Sequence, residues 1–264
     1  MEYFVLCTVS LLVSILALLS GFGLGTILMP IFAFFFPIPL AIAATAVVHL
    51  VNNLFQLALV GKWAKWSVVI RFGIPALLTA LLGAYLLVFF IHIPTFFTYA
   101  FHWVTVRMTA VGLLVGSLVM LSSLFELIPR LSHLSLPARY LPIGGALSGF
   151  FGGLTGNQGI LRSAFLIKAG LNTEQFVGTS AVCSVIVDTA RLIVYGLAIY
   201  THQFALLQGI SGLVAAASLT AILGSLIGSK IVPHITLRSL QILVGCMLLL
   251  LGFALFLGLG LTKH

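Results

Sequence analysis

Three residues in this 264-residue chain are misplaced for where they lie. Asp188 and Arg191 fall in the middle of a long apolar segment, three positions apart, and Arg162 follows a glycine-rich break. Residues at i and i+3 share a helix face, so Asp188 and Arg191 can neutralise each other. An ionisable side chain at membrane depth costs about 2.5–3.5 kcal/mol on insertion scales unless paired or facing a water-filled cavity. Two readings follow. Either the pair locks helices together, or Arg191 presents its guanidinium to an anion while Asp188 orients it or exchanges a proton. Buried ion pairs are weak evidence for stability, so neither reading displaces the other.

The break itself reads Gly152-Gly153-Leu154-Thr155-Gly156-Asn157-Gln158-Gly159, continuing through Arg162 and Ser163. A half-helix beginning near residue 160 would expose backbone N–H groups and a positive dipole end there. Broken helices aim such ends at anions near the midplane of many secondary transporters. Asn157 and Gln158 add side-chain amides, and Arg162 and Ser163 add a charge and a hydroxyl. The plainer alternative is a capped turn with Arg162 snorkelling to the headgroups. A milder version lies earlier in the chain: Asn52, Asn53 and Gln56 sit in mid-segment, one turn beyond His49. Amides there bond anions or glue helices. His49 is either a proton carrier at physiological pH or a packed side chain with a backbone partner.

The elements that must position these residues follow from composition. Apolar residues make up 61% of the chain and charged ones 6%, with twelve basic and four acidic side chains, against about 25% charged in a soluble domain. The mean hydropathy is +1.27. Such a chain is solvated by lipid. One helical span takes about 20 apolar residues, leaving room for about eight spans and no sizeable soluble domain. The runs are too long and unbroken for barrel strands, which alternate, so the expected fold is an all-α polytopic bundle.

Eight segments are expected near 3–20, 39–60, 67–91, 103–124, 138–153, 175–199, 203–229 and 236–260, with half-span pieces near 26–36 and 160–170. Each half-span follows a break, at Gly21, Gly23 and Gly25 in the first case and at Gly156 and Gly159 in the second. Glycine loosens a helix there, which reads as a broken or re-entrant helix. An offset of 135 residues lays Gly21 on Gly156, Thr45 on Ser180, Asn53 on Asp188, Gln56 on Arg191 and Gly61 on Gly196 without a gap. The organisation is therefore two four-helix repeats, 1–124 and 138–264, joined by a connector at 125–137. Loop charges leave parallel and inverted repeats both open.

Several classes drop out. There is no GxxxxGK, HExxH or GxSxG motif, and four carboxylates leave little for general acid–base work, so an enzyme is not expected. Cys7, Cys183 and Cys246 lie in apolar stretches with no metal or disulfide spacing. The other histidines lack ligand spacing, so neither a metal nor another cofactor is expected. The +8 net charge is dispersed toward span ends, which speaks for orientation and against a nucleic-acid partner. Trp63, Trp66, Tyr140, Tyr195 and Tyr200 read as interfacial anchors. The run from Phe32 to Phe36 reads as core or lipid contact. The start Met-Glu-Tyr-Phe lacks a basic n-region, so the first span is expected to be retained.

Two halves of about four spans, each opening on a glycine-rich segment, resemble the sulfite exporter TauE/SafE family of anion permeases. The segments are Ser20-Gly-Phe-Gly-Leu-Gly-Thr-Ile-Leu-Met-Pro30 and Gly149-Phe-Phe-Gly-Gly-Leu-Thr-Gly-Asn-Gln-Gly159, the second continuing through Arg162 and Ser163. The resemblance covers essentially the whole chain. It implies secondary transport of sulfur oxyanions or organosulfonates, commonly as export across a bacterial inner membrane. The expected partners are a small anion and the bilayer, with a homo-oligomer left open. The competing readings are an intramembrane enzyme and a non-transporting scaffold or sensor.

Overall fold

The computed structural model describes residues 2–20, 24–101, 104–129, 136–199, 209–231 and 237–258. Among them the chain forms ten α-helices: α1 (Glu2–Ser20), α2 (Leu24–Phe35), α3 (Ile38–Val60), α4 (Trp66–Ile91), α5 (Ala110–Leu127), α6 (Leu141–Thr155), α7 (Gly159–Leu166), α8 (Thr173–Ile199), α9 (Ser211–Ile231) and α10 (Leu237–Phe256). Five helical stretches are long and apolar enough to cross a membrane: Ile38–Trp63, Trp66–Ile91, Ala110–Leu127, Thr173–Leu197 and Ser211–Gly228. The protein is a helical, polytopic membrane protein.

The expected span at 103–124 is corrected. Residues Phe97–Phe101 (β1) and Val104–Met108 (β2) pair as an antiparallel hairpin, Phe97 opposite Met108, and the helix begins only at Ala110. Among the described residues the fold is thus all-α apart from one hairpin. The reason is local: Val104, Thr105 and Val106 are β-branched, and their partners Phe101, Ala100 and Tyr99 include two aromatics. Thr109 then starts α5, its Oγ1 accepting from the Gly112 amide at 3.0 Å.

The helices pair across the two halves of the chain. α1 packs on α9, α4 on α6, α3 on α8 and α5 on α10. Two clusters of buried side chains result. One gathers Phe32, Ile42, Val115 and Leu248, which puts Phe32 in the core. The other gathers Phe72, Ala76, Phe165 and Val187.

Lipid tails are as apolar as leucine, so helices in a bilayer associate through close packing rather than through the hydrophobic effect. The α4–α6 contact shows how. Gly145, Gly149 and Gly153 lie on one face of α6, and a Cβ at each would run into the backbone carbonyl oxygen of Phe72, Ala76 and Ala80 respectively. The backbones are as close as they can be. Thr79 closes the seam by donating its hydroxyl to the Ala146 carbonyl at 2.7 Å.

Trp63 and Trp66 are exposed, with the Lys62 ammonium 4.8 Å from the Trp63 ring centroid. Arg139 lies 4.7 Å from the Tyr140 ring centroid. Tyr200, Gly21 and Gly23 lie outside the described residues. Gly25 falls in the first turn of α2. Tyr195 is corrected from interfacial anchor to core: it is 2% exposed, and its hydroxyl donates to the Gly153 carbonyl at the end of α6.

The seam makes a direct prediction. Gly149→Val forces α4 and α6 apart, so it lowers the thermal midpoint of the detergent-solubilised protein or removes the monodisperse fraction altogether. Gly196→Ala is the control, since a Cβ there meets no atom within 4 Å. Alanine at that helical position leaves the midpoint unchanged or raises it by the equivalent of ~0.5–1 kcal/mol.

Candidate functional site

Three pieces of chain converge on one carboxylate. α3 supplies His49 and Asn53, whose i, i+4 spacing puts them on one face. α8 supplies Asp188 and Arg191, and the turn between α6 and α7 supplies Gln158, with Arg162 and Ser163 following on α7. Asp188 and Arg191 are both fully buried.

Every lone-pair direction of Asp188 is used. Oδ2 accepts from His49 Nδ1 at 2.7 Å and from Asn53 Nδ2 at 2.6 Å. Oδ1 accepts from Arg191 Nη2 at 2.9 Å and from Gln158 Nε2 at 3.2 Å. Facing a carboxylate oxygen, His49 Nδ1 carries a proton; that tautomer is assigned from the geometry. An ionised carboxylate accepts about four hydrogen bonds, and here it has them.

The cations around it are not matched in the same way. Arg191 uses Nη2 on Asp188, while its Nε and Nη1 have no partner. Arg162 Nε donates to Ser180 Oγ at 2.7 Å, while its Nη1 has none. The Ser163 hydroxyl and Gln158 Oε1 are likewise buried and unpaired. Two guanidinium groups stand against one carboxylate, leaving an excess positive charge even with His49 neutral. Buried donors without partners cost about 1–3 kcal/mol each, and more when charged, so such a concentration calls for a ligand, ion or water.

The break is shaped around Arg191. α6 ends at Thr155, and Gly156 follows in the left-handed region at φ 79°. A Cβ on Gly156 would fall on Arg191 Nη1. Glycine therefore does two things here: it turns the chain without strain and leaves room for the guanidinium. Ser148 Oγ holds the turn by donating to the Gln158 carbonyl at 3.0 Å. α7 then starts without a side-chain cap on its first N–H groups.

The remaining sequence-derived candidates lie elsewhere. Asn157, flanked by two participants in this arrangement, turns the other way and donates to Ser122 Oγ on α5. Gln56 Nε2 donates to Ser225 Oγ on α9 at 3.3 Å, and the same hydroxyl donates to Asn52 Oδ1 at 2.8 Å. Those two amides join α3 to α9 and do not reach Asp188. Gly159 opens α7. His49 bonds a carboxylate and not the backbone partner of the plainer sequence reading.

Sequence reasoning missed Ser180, which holds Arg162, and the hydroxyls of Ser122 and Ser225. The 135-residue offset had placed Ser180 opposite Thr45, which was its one available signal. Among the described residues no three His, Cys, Asp or Glu side chains come together to hold a metal ion.

Breaking the saturated carboxylate should cost more than removing it with its partner. Asp188→Asn leaves Arg191 buried without a counter-charge, and the loss of stability expected is about 3–5 kcal/mol. The double variant Asp188→Asn/Arg191→Gln should recover part of that loss. Thermal unfolding of wild type, Asp188→Asn, Arg191→Gln and the double variant in one detergent measures the coupling; additive losses would show that the pair is not coupled.

The model of the sulfite exporter TauE/SafE family matches residues 6–255, nearly the whole chain. No curated protein and no solved structure matches it.

Proposed function

The chain belongs to the sulfite exporter TauE/SafE family, and from that premise we propose that it is a secondary transporter of small anions, sulfur oxyanions or organosulfonates, with its binding site at the cationic centre beside Asp188. The observation that carries the reading is the set of unpaired buried donors: Arg191 Nε and Nη1, Arg162 Nη1 and the Ser163 hydroxyl. A scaffold would have no use for donors left unmatched in a dry interior. A tetrahedral or pyramidal oxyanion presents several acceptor oxygens and at least one negative charge, which meets both deficits at once.

In this reading Asp188 is not a ligand for the anion. Its acceptor sites are occupied, and its work is to hold Arg191, Gln158 and Asn53 in place. His49, hydrogen-bonded to Asp188, is the group assigned to proton exchange. Proton uptake adds one positive charge to the site and strengthens its hold on an anion. Release of the proton weakens it, which is the elementary requirement for coupling.

The halves 1–124 and 138–264 are read as duplicated units. The pattern of pairing supports this. If α1 to α5 correspond in order to α6 to α10, exchanging the halves turns the α1–α9 contact into α4–α6 and leaves α3–α8 and α5–α10 unchanged. Asn53 and Asp188, equivalent under the 135-residue offset, hydrogen-bond directly. Equivalent residues meet only beside the axis relating the units, so the site lies where two such units would rock against each other. The proposed setting is a bacterial inner membrane.

The test is sulfite flux in proteoliposomes. Wild-type protein should give saturable flux, and Arg162→Gln should lower it by roughly 10- to 100-fold, the equivalent of one charged hydrogen bond of about 1.5–3 kcal/mol. Arg162→Gln spares the Asp188–Arg191 pair, so its fold can be checked independently by thermal unfolding. A pH gradient should accelerate wild-type flux and leave His49→Gln unaffected. Unchanged flux in Arg162→Gln would overturn the assigned site.

A further inference from the structure

The α6–α7 segment enters the bundle and leaves it by the same end. α4 and α6 run parallel, since Gly145, Gly149 and Gly153 meet the carbonyls of Phe72, Ala76 and Ala80 in the same order. Beyond the break, α7 turns back. The Phe165 ring lies where a Cβ on Gly144 would be, and the Leu136 amide donates to the Ala164 carbonyl at 3.0 Å. The last turn of α7 is therefore beside the first turn of α6. α8 starts at this end too, because the Lys65 amide, just before α4, donates to Thr179 Oγ1 at 3.0 Å. α6 and α7 thus form a re-entrant hairpin whose turn lies against Arg191 in mid-bundle. Among the described residues, Lys62, Lys65, Arg71, Arg139 and Lys168 are exposed around its open end, and Glu174 is the one exposed acid there. An excess of lysine and arginine marks the cytoplasmic face of a membrane protein.

Two levels of this hairpin hold unpaired donors. At its turn are Arg191 Nε and Nη1; on the returning limb are Arg162 Nη1 and the Ser163 hydroxyl. Arg162 is 5% exposed and anchored through Nε to Ser180, whereas Arg191 is anchored to Asp188. Ser180 lies two turns of α8 from Asp188, about 12 Å along the axis, on the side of the basic face. The other direction differs. Asn53 bonds Asp188, and further along α3 the Val60 carbonyl lies where a Cβ on Gly178 would be, so α3 and α8 are antiparallel. Two turns from Asn53 toward the opposite face is Thr45. In the 135-residue register Thr45 stands for Ser180 and Ile27 for Arg162. Ile27 is buried and apolar, and the buried Thr45 hydroxyl has no partner. One route to the centre holds a cation with its anchor; the other holds a lone hydroxyl in their place.

We propose that Arg162, Ser163 and Ser180 form an entry station for a small oxyanion, separate from the station at Arg191 and serving the basic face alone. The proposal rests on the anion-transport reading and divides its site in two. An anion arriving from the basic face meets Arg162 Nη1 and Ser163 Oγ, then passes along the hairpin to the donors of Arg191 at its turn. An anion arriving from the opposite face meets Arg191 first. Ser180 is a positioning residue: by accepting from Arg162 Nε it holds the guanidinium with Nη1 unengaged. Successive stations let an ion be held firmly enough to enter and loosely enough to move on.

The experiment measures radiolabelled sulfite uptake by de-energised right-side-out and inverted membrane vesicles containing the full-length protein. A Lys168→Cys variant that also carries Cys7→Ala, Cys183→Ala and Cys246→Ala identifies the basic face by its reaction with a membrane-impermeant maleimide. With sulfite on that face, Arg162→Gln should raise the half-saturating concentration roughly 10- to 100-fold and leave the maximal rate within about twofold. With sulfite on the other face, it should leave the half-saturating concentration within about twofold and lower the maximal rate by the same 10- to 100-fold factor, because without a driving force the ratio of rate to half-saturation is equal in both directions. Ser180→Ala keeps the charge and removes its anchor, so it should move the same constants in the same directions by up to about tenfold. Either variant decides the matter if the other does not fold. Half-saturating concentrations raised equally from both faces place Arg162 in one central site; this inference then fails and the transport reading stands. A rise confined to the face opposite Lys168 also overturns it. Unchanged kinetics in both variants remove the station and the assigned site together, and a wild type without saturable uptake removes the transport reading itself.

Discussion

A single ionised carboxylate in a chain that lives in lipid sets the terms for the rest of this structure. Asp188 is fully buried, so its charge must be met by donors that reach it without water. Four do, and they come from three different places: α3, the break before α7, and α8 itself. Each imposes a constraint on the fold. His49 and Asn53 require α3 to lie along α8. Gln158 requires the chain to leave the helical path two residues earlier. Arg191, one turn along α8, requires a position on the break with no side chain, and Gly156 supplies it. Remove the carboxylate's demand and there is no evident reason for a helix to end in mid-bundle.

The close seams elsewhere serve the same end. A polar group can be delivered to a buried point only if the backbones carrying it approach closely and the approach is rigid. The glycine face of α6 on α4 fixes the helix that ends at the break, and the Tyr195 hydroxyl on the Gly153 carbonyl ties that end to α8. Backbone carbonyls freed near a helix end are tolerated at membrane depth only when protein or water satisfies them. Here a phenol from the helix carrying Asp188 does so, which couples the position of the break to the position of the charge.

Much of this was legible in the sequence because rarity is informative. With four acidic residues in 264, one in the middle of an apolar segment could hardly be incidental, and its i, i+3 partner followed from helical geometry. The helix break was legible from glycine density. Less legible was which way each residue at the break would point. Asn157 and Gln158 look equivalent in a string of letters, yet a left-handed residue before them sends one to α5 and the other to Asp188. Tyr195 was misread because aromatic residues near helix ends are usually interfacial, and only packing reveals a buried acceptor waiting for the hydroxyl. The hairpin was misread because its apolar content matched a span; the alternation and β-branching of residues 104–106 were present but outweighed by length. Gln56 shows the limit of the internal offset: it is in register with Arg191 but bonds Ser225 on α9, so a shared register does not give a shared neighbour.

That divergence bears on how a carrier could work at this site. On the reading of two duplicated units, the first contributes an amide and an imidazole, Asn53 and His49, and the second contributes the carboxylate, the arginines and Gln158. Were both halves charged alike, the axis between them would concentrate like charges, which at an effective dielectric constant near 20 repel by about 4 kcal/mol at 4 Å. On the transport reading, confining the charges to one half leaves the site with an excess of about one positive charge, which a bound monovalent anion cancels. On the transport reading, the loaded site is then close to neutral and the empty one is not. Any movement of one unit against the other carries this site through low-dielectric surroundings, and the cost of doing so is smaller for the neutral, occupied form. On that reading, the excess charge that attracts the anion would also make the unloaded carrier slow to turn over, and protonation of His49 would shift that balance by one unit of charge.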